Sequence, residues 1–323
     1  MRREVFFLLL TLLVTPSPRL WAEVRGVVQT DEVVVLFQEP LGRAAKEVVN
    51  IYPALRRELE KTLGWRVGFR PQVLLIHDRE AFVRMAGSDL FVALALPRED
   101  LVVIDYSKMS TAPFSLAVIL KHELTHLLLH HHIRRAELPK WLDEGVSQWV
   151  SGGIAEVIIG RKGTVLKEAT LSGNYLSLDS LVDDFPRDKR SLILAYEESR
   201  SFVEFISGTF GVEGLLEVLG HLKEGDDADV AVFDSLSVPL DELERRWHRH
   251  LRKQTTWLTY LAGNLYGILF FAAALITIVG FIRLLIMKRR RYGHDEDDHF
   301  PGSDTTCHSE SHRRWDKESQ GNA

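Results

Sequence analysis

The feature that most restricts how this chain can fold is a stretch near its C-terminus, from Gln254 to Ile282, that carries no charged residue. Within it, residues 265–282 would present no polar face as a helix. A helix of about 20 apolar residues matches the thickness of the hydrocarbon core of a bilayer. We therefore predict a transmembrane helix at residues 258–287, with Tyr266 near one interface and the basic residues 288–291 at the other.

A second apolar run lies at the N-terminus. Two arginines precede Val5–Val14, a ten-residue run that only one threonine interrupts. This run is too short to cross a bilayer, and a basic start followed by such a run is typical of a secretory signal. We expect residues 1–22 to be a signal peptide. Export that stops at the transmembrane helix would leave residues 288–323, which are rich in charge, as a disordered cytoplasmic tail.

The basic residues that flank the predicted transmembrane helix do not decide its orientation, because five lie on each side. The signal peptide decides it instead and places residues 23–257 outside the cytoplasm. The chain has a single cysteine, Cys307, and no N-x-S/T sequon. These features favour a single-pass protein of a bacterial inner membrane whose folded domain lies in the periplasm.

The composition and length of the segment between the two apolar runs are typical of a folded domain. The whole chain is 46% hydrophobic and 26% charged, which is ordinary for a globular protein. Residues 23–257 are enough for one sizeable core, or for a core with an accessory lobe. A net charge of −5 gives no reason to expect a nucleic acid as a partner.

The order of the predicted elements indicates an α+β fold. Short apolar runs predict the strands of a small sheet at residues 33–37, 73–76, 91–96 and 101–105. Helices are predicted at residues 42–63, 79–86, 113–133, 139–151, 191–208, 212–223 and 239–256. Residues 152–190 are polar and are expected to be irregular. We therefore expect a sheet-containing lobe at 23–133 and a mostly helical lobe at 134–257.

The pentapeptide HELTH at residues 122–126 is the chemical centre of the sequence. On a helix, residues four apart share one face, so the imidazoles of His122 and His126 can reach one metal ion. Glu123 lies beside them and can take a proton from a water that the metal activates. The alternative is a solvated cluster on a surface helix, but the residues before and after the motif are apolar, so these polar groups need partners.

Zinc in such a site needs a third protein ligand, and the sequence offers three candidates. His132 stands where the metzincin peptidases place a third histidine. We exclude it, because the chain has Leu129 in place of their glycine and lacks their downstream methionine. Asp143 and Glu144 both fall on the next predicted helix, although the residues around Asp143 do not resemble those of the zincins with an aspartate ligand.

The HELTH motif followed by WLDEG at residues 141–145 resembles the gluzincin metallopeptidases. More narrowly it resembles the bacterial peptidase MA-like family, which is related to the membrane aminopeptidases. The resemblance implies a zincin-like fold and a Zn²⁺ cofactor whose third ligand, beside the two histidines, is Glu144. It also implies that Glu123 is the general base. A tyrosine near the start of a later helix stabilises the oxyanion in these relatives, and Tyr196 matches it.

The resemblance therefore implies a membrane-anchored zinc metallopeptidase that hydrolyses peptide bonds outside the cytoplasm. The expected partners are a peptide substrate, which could pair with an edge strand near residues 92–96, and the lipid bilayer. The chain lacks the G-x-M-E-N-type stretch that binds the substrate amino terminus in the aminopeptidases, so exopeptidase activity is not implied. Two alternatives stay open. One is a zinc-binding scaffold or partner-binding membrane protein without hydrolytic activity, and the other is a hydrolase of non-peptide substrates.

Overall fold

The computed structural model describes residues 26–109, 114–152, 164–254 and 264–292. The predicted signal peptide at residues 1–22 and all of the predicted tail beyond residue 292 lie outside them. The chain divides into two compact units, Met1–Trp257 and Leu258–Ala323.

A five-stranded sheet forms the first part of the larger unit. Its strands are β1 Gly26–Gln29, β2 Val34–Phe37, β3 Gln72–Ile76, β4 Ala93–Leu96 and β5 Leu101–Asp105. The order across the sheet is β1-β2-β3-β5-β4, with β2, β3 and β5 parallel and the two edge strands antiparallel to their neighbours. All but one strand were predicted. Strand β1 was missed because its residues alternate between half-buried and exposed and form no apolar run.

The helices of the larger unit surround and follow this sheet. They are α1 Gly42–Leu63, α2 Arg79–Ala86, α3 Leu116–His132, α4 Lys140–Val150, α5 Thr164–Ser172, α6 Lys189–Glu224, α7 Ala228–Leu236 and α8 Leu240–Gln254. The prediction of a small sheet followed by a mostly helical lobe is therefore confirmed. Residue 113, the predicted start of α3, lies outside the described residues. The helix starts instead at a cap in which the Ser115 side chain accepts the N–H of Val118.

Two differences from the predicted helices have physical reasons. The predicted helices at 191–208 and 212–223 are both parts of α6, which breaks at Gly211, where φ is 82° and only glycine is unstrained. The prediction that residues 152–190 are irregular was wrong for α5. That helix buries only Ala169 and Thr170, so its sequence has too narrow an apolar side to show helical periodicity.

Helix α4 packs against α6 at a very short distance. A Cβ atom at Gly145 would lie 2.5 Å from the backbone oxygen of Ser199 and 2.6 Å from Cγ2 of Val203. On the same side of α4, the fully buried Trp141 meets the ring of Phe202 edge to face at 5.2 Å. Only glycine permits this approach, so Gly145 sets how close α4 comes to α6.

Residues 164–178, which precede α6, are held by acidic side chains from α6 and α8. Buried or half-buried carboxylates accept their backbone N–H groups: Glu197 from Leu166 at 2.8 Å, Glu198 from Leu176 at 3.2 Å, and Glu244 from Leu178 at 3.0 Å. Burial raises the pKa of Glu198 to about 8, with Glu244 and Glu197 adding to the rise and the Leu176 N–H opposing it.

The second unit contains helix α9, Leu265–Tyr292. Its residues Leu265–Met287 have a mean hydropathy of 2.5, and none of them is buried within the protein. By length and composition this helix can cross a membrane, in agreement with the apolar stretch seen in the sequence.

We expect Gly145→Ala to lower the free energy of unfolding by about 1–3 kcal/mol, because the added methyl group forces α4 away from α6. Chemical denaturation of the purified full-length chain measures the change. The control is Gly220→Ala on α6, where an added Cβ meets nothing within 4 Å. That variant should be unchanged or more stable by about 0.5–1 kcal/mol. Equal stability of Gly145→Ala and the wild type would contradict the close packing.

The raised pKa of Glu198 predicts a pH-dependent stability. Between about pH 4.5 and 8 the folded state holds a proton that the unfolded state has released, so the free energy of unfolding falls as pH rises through this window. Glu198→Gln keeps the hydrogen-bond acceptor and cannot ionise. It should be more stable than the wild type at pH 8, by on the order of 1–3 kcal/mol, and equally stable at pH 4.

Denaturant unfolding from pH 4 to 8 measures this difference. The exposed Glu217, on the same helix, provides the matched control Glu217→Gln. A difference between wild type and Glu198→Gln that does not change with pH would show that Glu198 ionises normally in the fold.

Candidate metal centre

Two consecutive helices carry the predicted metal ligands. Helix α3 holds His122 and His126 one turn apart, and α4 packs against it and holds Glu144. All three side chains are buried. Both helices owe their position to apolar residues around the polar ones. Glu144 lies 22 residues after His122 and 18 after His126, and the packing of α3 and α4 brings the three predicted ligands together.

The donor atoms of these residues form a compact triangle. His122 Nε2 lies 3.2 Å from His126 Nε2. Glu144 Oε2 lies 3.7 Å from the first of these nitrogens and 3.6 Å from the second. Tetrahedral coordination at zinc distances of about 2.0–2.2 Å separates ligand atoms by roughly 3.3–3.6 Å. Among the residues that the structure describes, these three thus form a group that could hold a metal ion.

The unpaired oxygen of Glu144 supports the fit to a cation. Glu144 is 1% exposed, and its Oε2 is buried and accepts no hydrogen bond from the described residues. A buried carboxylate oxygen without a donor is costly unless a cation neutralises it. Two imidazole nitrogens and one carboxylate oxygen are also the ligand set of many catalytic zinc sites, which leave a fourth position open.

Asp143 fixes the orientation of one of these histidines. Its Oδ1 lies 2.6 Å from His126 Nδ1, and the hydroxyl of Ser147 lies 3.2 Å from the same nitrogen. The carboxylate cannot donate, so Nδ1 carries the proton and donates it to Asp143. Once Nε2 has lost its own proton, its lone pair is directed into the triangle, as a metal ligand requires.

The charges of this pair depend on each other. Burial lowers the pKa of His126, but the carboxylates of Asp143 and Glu144 raise it by more, to about 9. Burial raises the pKa of Asp143, yet His126, His130 and Lys140 together hold it well below its usual value. Asp143 is therefore a stable anion that His130 Nε2 also contacts, at 3.1 Å from Oδ2.

The sequence did not reveal this role of Asp143. From the sequence, Asp143 was considered only as a candidate third ligand. Gln148, one turn after Glu144 on α4, donates its amide to the backbone oxygens of Tyr196 at 3.0 Å and of Glu144 at 3.3 Å. The signal that could have found Asp143 is its place directly before Glu144. Adjacent side chains on a helix such as α4 point in different directions, yet the side chains of Asp143 and Glu144 can both reach the surface of α3.

Of the two predicted catalytic residues, the structure places Tyr196 in contact with this cluster. Glu123 is buried beside His122 on α3. Tyr196, in the second turn of α6, donates its hydroxyl to Oε1 of Glu144 at 3.4 Å. Its ring meets that of Phe185 edge to face at 5.2 Å. The structure therefore brings Tyr196, which lies 52 residues after Glu144 in the chain, to the candidate metal cluster.

Comparison with solved structures finds chains of low similarity. The M1 zinc metallopeptidase of Deinococcus radiodurans, in a glutamate-to-alanine mutant, is 15% identical with a TM-score of 0.40, and the match covers 70% of this chain and 51% of that one. The same mutant bound to a Tyr-Ser-Ala substrate is 16% identical with a TM-score of 0.37, covering 69% and 50%. This chain thus spans about half the length of those proteins. No curated protein matches the chain.

A match to a protein family covers the metal cluster itself. The family model of the Peptidase MA superfamily matches residues 93–253, from β4 to the end of α8. The matched segment contains the histidine pair on α3, the acidic pair on α4 and Tyr196 on α6. The resemblance to the peptidase MA-like family that the motifs implied is therefore confirmed over residues 93–253.

Proposed function

We propose that this protein is a zinc-dependent metallopeptidase, anchored in a membrane, that hydrolyses peptide bonds outside the cytoplasm. The observation that carries the proposal is the triangle of His122, His126 and Glu144 donor atoms, 3.2–3.7 Å apart, inside the segment that matches the peptidase family. Tyr196 contacts Glu144 of this triangle, and the buried Glu123 directly follows His122 on α3. A scaffold that only binds zinc would need neither Tyr196 nor Glu123, so their presence favours hydrolysis.

Each residue at the cluster has a role in this reaction. Zinc held by the triangle would polarise the substrate carbonyl and lower the pKa of a bound water to about 7. Glu123 accepts a proton from the attacking water and delivers it to the leaving amine. The hydroxyl of Tyr196 donates to the carbonyl oxygen as that oxygen becomes negative. Asp143 keeps the Nδ1 proton of His126 in place throughout.

Strand β4 offers a place for an extended peptide. It is an edge strand of the sheet, and α3 packs against it. Asp105 N–H donates to the oxygen of Val92, and Ala93 is opposite Ile104. In an antiparallel pair only alternate residues bond to the neighbour, so Ala93 and Ala95 direct their N–H and C=O groups away from β5. A substrate strand could bind there, next to the helix that carries Glu123.

The first test of the mechanism is Glu123→Gln. The amide cannot accept the proton, so we expect peptide hydrolysis to be abolished while about one zinc per chain is retained. Tyr196→Phe should also keep zinc and lower kcat by about 100-fold, because one donor to the oxyanion is lost. His122→Ala is the control that should lose the metal. Zinc content by metal analysis and turnover of a peptide mixture are the two measurements.

The outcomes separate the candidate functions. Wild-type turnover in Glu123→Gln would remove Glu123 from the mechanism. A wild type that holds zinc but cleaves nothing would leave the zinc-binding scaffold as the function. A wild type without metal would end the metallopeptidase proposal.

The proposed location rests on helix α9 and on the predicted signal peptide. Residues 1–22 would direct export, residues 23–257 would form the periplasmic domain, and residues 258–287 would cross the inner membrane once. Residues 288–323 would then lie in the cytoplasm.

Reporter fusions test this arrangement. Alkaline phosphatase, which is active only outside the cytoplasm, should be active when fused after Gln254 and inactive when fused after Ala323. The first fusion is the control for expression of the second. Activity at both positions would mean that residues 258–287 do not cross the membrane, and the reverse pattern would invert the proposed topology.

A further inference from the structure

A lysine contacts the third ligand of the triangle directly. Lys140 is the first residue of α4, and its Nζ lies 2.7 Å from Oε1 of Glu144 and 3.9 Å from Oδ2 of Asp143. The spacing of four residues places its side chain over that of Glu144 on one face of the helix. The backbone at Lys140 is fixed as well, because its N–H donates a hydrogen bond to the backbone oxygen of Val182 at 2.7 Å.

This contact makes the two oxygens of Glu144 unequal. Oε1 is bound by the Lys140 ammonium at 2.7 Å and by the Tyr196 hydroxyl at 3.4 Å. Oε2 is directed at the two histidine nitrogens instead. A hydrogen bond from a charged donor to a buried carboxylate is short and strong. Oε1 is therefore held away from the centre of the triangle.

The difference matters for the proposed reaction. A carboxylate that binds through both oxygens would occupy a position that the water and the substrate carbonyl need. A carboxylate shared with an ammonium group also donates less negative charge to the metal. Groups that hydrogen-bond to metal ligands tune the acidity of the metal in this way.

We propose that Lys140 is a positioning residue of this site, which holds Glu144 so that only Oε2 binds the metal and which keeps that ligand a weak donor. The inference rests on the proposed function, since it assigns Lys140 a part in turnover. Lys140 does not itself contact the substrate in this role. It acts through Glu144.

Loss of Lys140 in this role would change zinc affinity and kcat in a different combination from its loss in two simpler roles. If Lys140 only stabilised the fold, its loss would weaken zinc binding and lower activity together. If it only balanced the charge of Glu144 before metal binding, its loss would strengthen zinc binding and leave kcat unchanged. A positioning role predicts stronger zinc binding together with a lower kcat.

The test compares Lys140→Met with the wild type, using the full-length chain purified in detergent. Methionine keeps the length of the side chain and removes the charge. We expect zinc, measured by competition with a chelator, to bind about tenfold more tightly, and kcat to fall about tenfold or more. In the cobalt-loaded protein, a second carboxylate oxygen at the metal should weaken the visible absorption bands, which are strongest for four-coordinate cobalt.

Two further variants complete the comparison. Lys167→Met removes an exposed lysine on α5 and should leave every measurement unchanged. Lys140→Arg keeps the positive charge and should retain zinc affinity and a cobalt spectrum close to those of the wild type. Weaker zinc binding by Lys140→Met, an unchanged kcat, or a cobalt spectrum identical to that of the wild type would overturn the proposal.

Failure of the proposed function can be told apart from failure of this inference. If the wild-type protein hydrolyses no peptide, the metallopeptidase proposal fails. The zinc affinities and the cobalt spectra would still decide whether Lys140 controls how Glu144 binds the metal.

Discussion

The metal cluster depends on the contact between α4 and α6. A side chain at Gly145 would meet the backbone oxygen of Ser199 at 2.5 Å, so the two helices approach as closely as their backbones allow. This contact sets the position of Glu144, the residue before Gly145, against the histidines of α3. The same approach brings Tyr196, one turn before Ser199, within 3.4 Å of Glu144. Gly145 thus permits the close approach of α4 and α6 that places Tyr196 against Glu144.

Two neighbouring acidic residues on α4 have separate tasks at this cluster. Glu144 directs one oxygen at both histidines, whereas Asp143 binds the far side of one of them at 2.6 Å. Both carboxylates are nearly inaccessible to water, so each needs compensating charge. His126 and His130 contact Asp143 at 2.6 and 3.1 Å, and Lys140 forms an ion pair with Glu144. The site is therefore a buried network in which His126 and Glu144 are each oriented by a partner outside the triangle.

The sequence predicted most of this architecture because the signals were local. Apolar runs marked four of the strands, and the spacing of four residues between His122 and His126 placed both rings on one face. The helix α5 was missed because it buries only a narrow side. The role of Asp143 was missed because it depends on the angle between α3 and α4. No pattern within either helix records that angle.

By itself the sequence determined which side chains are available: a histidine pair on an apolar helix, an acidic pair on the next, and an apolar helix of membrane-spanning length. These follow from the periodicity of the α-helix and from hydrophobicity, both of which are properties of short segments. Only the tertiary structure decided which oxygen of Glu144 meets the histidines, which carboxylate orients His126, and that Lys140 binds the remaining oxygen. Those choices depend on distances of 2.6–3.7 Å between helices, which packing alone sets.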